Sequence, residues 1–209
     1  MRNLQRHLEA PTFPVGRWSN IWLRQRSAVH SMRRLVLFAL ISLSGATAAT
    51  EPTIKRLPPS AFPELPSAIR QALERRDCAI PQIWEGWKQK RHNVIRGAFF
   101  KKRQIDWAVL CSIAGKSAIL VFPPGASQPA ELALADDNSF VQEVEPGKFG
   151  FSRAINATGR KRILEYHEEY GGPGPPPLDH QGINDAFAEK ASVIHYFYNG
   201  EWLELQGAD

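Results

Sequence analysis

The sequence predicts an α+β, mainly β protein: an antiparallel meander sheet with one N-terminal helix packed against it. Three observations carry this. From Asn93 onward apolar residues recur with period two, in three runs separated by short polar turns. Asn199-Gly200, the favoured two-residue hairpin turn, sits between two β-rich segments. The run with helical spacing is short and comes first: Leu65, Ile69 and Leu73 fall four apart.

Composition sets the frame for these elements. The chain has 209 residues, 43% apolar and 22% charged, which excludes wholesale disorder. Its net charge of +5 is unevenly placed. Residues 1–48 carry seven arginines against one acid, a net +6. The remaining 161 residues carry 19 bases and 20 acids, a net −1, and are enough for one domain with a real core. The basic excess therefore gives no support for nucleic-acid binding by the domain.

Read from Met32, the chain has a basic start (Arg33-Arg34), an apolar run Leu35–Leu43 and a small-residue tail ending in Ala46-Thr47-Ala48. That is a signal-peptide pattern over 32–48, with cleavage expected after Ala48. The apolar run is too short to span a bilayer core of about 30 Å as a helix. Residues 1–31 read as a disordered upstream extension, 49–64 as a Pro-rich lead-in and 65–209 as a single globular domain. The expected location is periplasmic or secreted; an uncleaved signal anchor at the inner membrane is the alternative. Export bears on Cys78 and Cys111, the only cysteines. In an oxidising compartment an even pair is read as one disulfide.

Element by element, Ser67 to Arg76 is predicted helical, with Pro66 suited to the first turn. Asn93–Phe100, Ile105–Ile113 and Ser117–Phe122 form the three-stranded meander, with Lys101-Lys102-Arg103-Gln104 as its first turn. In the middle strand Ile105, Trp107, Val109, Cys111 and Ile113 alternate with Ala108 and Leu110, so both faces are apolar, as in a central strand. Glu131–Ala135, Phe149–Ile155 and Ile163–Tyr166 read as further strands, with a turn at Asp136–Ser139. Gly171–Pro177 reads as a stiff loop, or as a Pro-rich ligand for an SH3-type domain. Ala191–Tyr198 and Glu201–Leu205 make the last hairpin, with Trp202 across its turn.

Gly97-Ala98-Phe99, Ile105–Leu110 and Ala118–Phe122 together resemble one degenerate FG-GAP repeat, the integrin-alpha-like β-propeller hairpin. In that family an acidic loop binds calcium. Here the loop is Phe100-Lys101-Lys102-Arg103-Gln104, and of the expected acids only Asp106 remains, so the resemblance implies hairpin geometry without calcium. The chain is also similar to short exported bacterial proteins, through Ile80-Pro81-Gln82 and a C-terminal Gly-Ala-Asp, a likeness that implies no activity.

Candidate chemistry falls into four groups. Trp84 and Trp87, three apart, could share an exposed face that stacks on a glycan or peptide. Lys101, Lys102 and Arg103 stand consecutively on a turn and suit an acidic envelope protein or an anionic surface. Asp179, His180, Asp185 and His195 are the alternative, a catalytic set for a periplasmic hydrolase, though no G-x-S-x-G or H-E-x-x-H motif accompanies them. Asp136-Asp137-Asn138, followed by Glu143 and Glu145, offers oxygen ligands without EF-hand spacing, so no metal and no cofactor is expected. The lead expectation is an exported, non-enzymatic binding or interaction module at the cell envelope.

Overall fold

The computed structural model describes residues 53–84, 90–172 and 178–207. The expected extension, the signal peptide, the start of the Pro-rich lead-in, Trp87 and most of the Pro-rich loop lie outside the described residues. The chain divides at Thr47/Ala48 into two units, and every described residue belongs to the second. Among the described residues no helix is long and apolar enough to cross a membrane.

In chain order the elements are β1 (Arg56–Leu57), α1 (Ser67–Glu74), β2 (Ile80–Pro81), β3 (Val94–Gly97), β4 (Asp106–Ile113), β5 (Lys116–Phe122) and β6 (Ala130–Asp136). Then come β7 (Val141–Glu145), β8 (Lys148–Phe151), β9 (Arg153–Thr158), α2 (Arg160–Tyr170), β10 (Gly182–Phe187), β11 (Ala191–Tyr198) and β12 (Glu201–Gln206). The architecture is mainly β and every strand pairing is antiparallel.

The single expected meander is two. One four-stranded sheet runs β3-β4-β5-β6 and a second runs β12-β11-β10-β9, with β1-β2 and β7-β8 as small two-stranded additions. Alternation along β4 explains the stacking. Val109 and Cys111 face α1, where Ile69, Ala72 and Leu73 complete one core with Ala118, Leu120 and Phe122 of β5. Ala108 and Leu110 face the other way and meet Ile119, Val121, Ile155 and Ile183 in a core shared by both sheets. Beyond the second sheet, Ile163 and Tyr166 of α2 pack on Ile194, Tyr196 and Leu205. The order is helix, sheet, sheet, helix. Each fully buried aliphatic side chain contributes roughly 1.5–3 kcal/mol, so the central strand, buried on both faces, is the main stabilising element. Ile113, at the end of that strand, and Ile105, just before it, were expected to share its apolar face and are instead exposed.

Asn93 and Gln181 are two of the polar side chains that join the sheets. Asn93, buried and left-handed at φ 71, accepts from Ile155 N–H and donates to the carbonyls of Pro81 and Arg153. Gln181 donates its backbone N–H to Ala98 O and accepts Ala98 N–H at its side-chain oxygen. These bonds satisfy backbone groups that the edges of β3 and β9 would otherwise bury unpaired.

Further expectations are corrected. Ile163–Tyr166 is not a strand; it lies inside α2, so the described residues hold two helices rather than one. The strand expected at 149–155 breaks at Ser152 into β8 and β9. Asp185, a member of the candidate hydrolase set, stands inside β10. Cys78 and Cys111 are bonded, their Cα atoms 5.4 Å apart, within the usual disulfide range. The bond ties the end of α1 to β4. Asp77, left-handed at φ 54, turns the chain there so that Cys78 N–H returns to Leu73 O.

Candidate functional site

The β3–β4 turn is built from beneath by one acid. Asp106 is completely buried; its Oδ2 accepts the N–H groups of Phe99 (2.7 Å) and Phe100 (3.0 Å), and its Oδ1 accepts from Gln104 Nε2 (2.5 Å). A carboxylate holding three donors organises the turn and has little left for a cation. Phe100 then wedges into the second sheet, edge-on to Phe197 (4.9 Å) and Trp202 (5.3 Å). These two rings belong to directly paired residues of the Asn199-Gly200 hairpin and lie 5.6 Å apart. Gly97 is needed because a Cβ there would stand 2.7 Å from the Phe99 ring and 2.8 Å from the Gln181 amide oxygen. Above this base Lys101, Lys102 and Arg103 are all exposed, and none is ion-paired among the described residues.

Trp84 stands elsewhere. It is half-buried against Ile83, Ala154 and Ala188, and its backbone N–H donates to Phe151 O. Gly150 makes room for it, since a Cβ there would come within 2.6 Å of Trp84 Cβ. The aromatic side chains joined to the basic turn are thus Phe100, Phe197 and Trp202. Sequence placed Trp202 across the hairpin turn, but nothing local ties that hairpin to Phe100, a hundred residues earlier.

The hydrolase set divides. Asp179 is exposed. His180 is buried, its Nδ1 2.9 Å from Gln181 O. Asp185 and His195 do meet, because Ile183 pairs with His195 and sets Asp185 diagonally across from it. His195 Nε2 lies 3.8 Å from Asp185 Oδ2 and Nδ1 lies 3.4 Å from Glu204 Oε1.

What sequence reasoning missed is Arg153. Its Nε and Nη2 donate to both oxygens of Asp185, at 2.9 and 2.7 Å. Its Nη1 donates to Ser117 O and Oγ, each at 3.0 Å, and Nη2 also to Ala133 O at 2.7 Å. All five N–H groups are used. Ser117 borders a β-bulge between β5 and β6, and Ala133, at φ 53, lies within it. The fully buried guanidinium donates to the carbonyls that the bulge takes out of the ladder, while stacking 4.5 Å from the Phe140 ring centre. Burial pushes the Asp185 carboxyl up, but His195 and the bidentate Arg153 outweigh it and hold the group below its ordinary value. A carboxylate so engaged by arginine is tied into the packing between the sheets.

The oxygen cluster at 136–138 also comes apart. Asp137 is buried and accepts from Arg56 Nη2 (2.6 Å) and Ser112 Oγ (2.5 Å), whereas Asp136 and Asn138 are exposed. Glu143 accepts Gly147 N–H and Glu145 pairs with Lys148. Among the described residues no three His, Cys, Asp or Glu side chains gather as metal ligands. No family model, curated protein or solved structure matches the chain.

Proposed function

We propose that this is an exported, non-enzymatic binding module of the cell envelope, matured at Ala49, whose contact surface is the Lys101–Arg103 turn and whose partner is an acidic envelope protein or an anionic surface. The observation that supports it is the contrast within one turn: three consecutive cations without acidic partners among the described residues, on a backbone held by Asp106 and the Phe100–Phe197–Trp202 cluster. A rigid base lowers the ordering cost of a contact. The hydrolase reading keeps one favourable observation, the approach of His195 to Asp185, and has Arg153 against it.

The test compares the full chain with its K101S/K102S/R103S variant on vesicles of phosphatidylglycerol and on polyaspartate, so that the basic prefix is common to both. Each base near an anionic surface is worth about 1 kcal/mol. The variant should therefore bind about a hundredfold more weakly at low salt, with a flatter salt dependence. Equal binding by both proteins to both probes would overturn the reading.

A further inference from the structure

On the face of β4 turned away from Phe100, beside the same turn, lies an apolar cleft. We propose that it binds a free anionic amphiphile, with a single alkyl chain laid against Trp107 and an anionic head met by Lys101, Lys102, Arg103 and Arg96. The proposal rests on the reading of the turn as a contact surface and adds the ligand class.

The cleft has a volume of about 340 Å³ and is lined by Pro66, Ile69, Ile105, Trp107, Pro123 and Pro124. That is at the scale of small-ligand sites, roughly 300–1,000 Å³. No charged side chain lines it. It exists because α1 is short. The helix begins after Pro66 and covers Val109 and Cys111, but leaves Trp107 half-buried and Ile105 58% exposed. On the far wall Pro123 and Pro124 leave β5, and Gly125 at φ 74 turns the chain away. Proline walls are already ordered, so little entropy is lost on filling the space.

Charge selects the occupant. Arg96 pairs directly with Trp107 across β3 and β4 and so shares its face, and it is exposed. Lys101, Lys102 and Arg103 precede Ile105 by two to four residues. None of the four cations is ion-paired among the described residues. Asp106, the acid of this turn, is buried with the turn's own donors on its oxygens. A purely polar anion would leave Ile105 and Trp107 in water, and a neutral apolar ligand would ignore the four cations. An alkyl chain with an anionic head answers both.

The experiment is calorimetric titration of the full chain with n-alkyl carboxylates from hexanoate to dodecanoate, below their micelle concentrations, with the matching primary alcohols as neutral probes. Affinity should rise about fourfold per methylene, the equivalent of about 0.8 kcal/mol each, until the cleft is full. The variant I105S, altered at an exposed position, should flatten that slope, while K101S/K102S/R103S should weaken every carboxylate about equally and keep it. Affinity independent of chain length, alcohols that bind as tightly as carboxylates, or a signal confined to micelles would each overturn the amphiphile. If such a failure came with intact turn-dependent binding to vesicles or polyaspartate, the contact-surface reading would survive it. Loss of that turn dependence as well would overturn both.

Discussion

The two sheets each carry a concentration of charge, and the two are handled in opposite ways. At Arg153 the cation is buried between the sheets, its carboxylate partner is largely covered, and every guanidinium N–H has an acceptor. At Lys101–Arg103, three cations stand in water and the acid beneath them, Asp106, is occupied with backbone N–H groups instead. The first arrangement is costly to assemble and more costly to disturb, because removing one partner strands a desolvated charge. The second contributes little to folding, since exposed charges are already well solvated. Charge bonded on every side within the fold is structural; charge left in water without a protein partner costs the fold little to keep or to lose.

Breaking the buried side of this comparison should give the largest effect. Arg153→Met leaves Asp185 and the bulge carbonyls without their arginine donors and should cost about 3–5 kcal/mol in denaturant unfolding. Joint replacement, R153M/D185L, should recover a large part of that loss, because no lone charge remains. A double variant as unstable as R153M would instead place the cost in the bulge carbonyls. Next comes the Cys78–Cys111 crosslink, which closes a sequence separation of 33 residues. C78S/C111S should lower stability by about 3–4 kcal/mol on chain-entropy grounds, read as a shift of the unfolding midpoint at unchanged slope.

A smaller effect should appear with pH. Asp185 is held below its ordinary value of 3.8 in the folded protein. Its contribution is therefore whole above that pH. As the pH falls below about 4 the unfolded chain takes up its proton first, and stability drains until the folded carboxyl protonates as well. Unfolding curves of D185N should start from a lower stability and fall less steeply over that acid range; parallel curves would mean that Asp185 is not the group responsible. The smallest effect belongs to the turn. K101S/K102S/R103S should stay within about 0.5 kcal/mol of the wild type, even as its binding to anionic probes collapses. A clearly destabilised variant would give those side chains a structural part.

Several elements were legible because their signals are local. The two apolar faces of Ile105–Ile113 mark a strand buried on both sides, and β4 is that strand. Asn199-Gly200 set the register that puts Phe197 opposite Trp202. Other elements were hidden by composition. α2 buries only Ile163 and Tyr166, and its other positions are polar or only partly covered, so four residues at its centre passed for a strand. β10, with Asn184 and Asp185 at its middle, carries residues that disfavour strands and holds its place through β9 and β11 on either side.

By itself the sequence determined which short segments alternate, where the chain turns, that residues 49–209 have no basic excess, and that three cations stand together on a turn. These are properties of near neighbours, set by backbone preference and by the period of the side chains. Only the tertiary structure decided that an arginine would be the most completely satisfied side chain between the sheets, that Asp185 would meet both that arginine and His195, and that Phe100 would anchor the basic turn to the last hairpin. Arg153 draws its acceptors from Ser117, Ala133 and Asp185, which lie up to 36 residues away along the chain. A buried charge becomes tolerable only when such distant groups arrive together, and no local pattern announces their meeting.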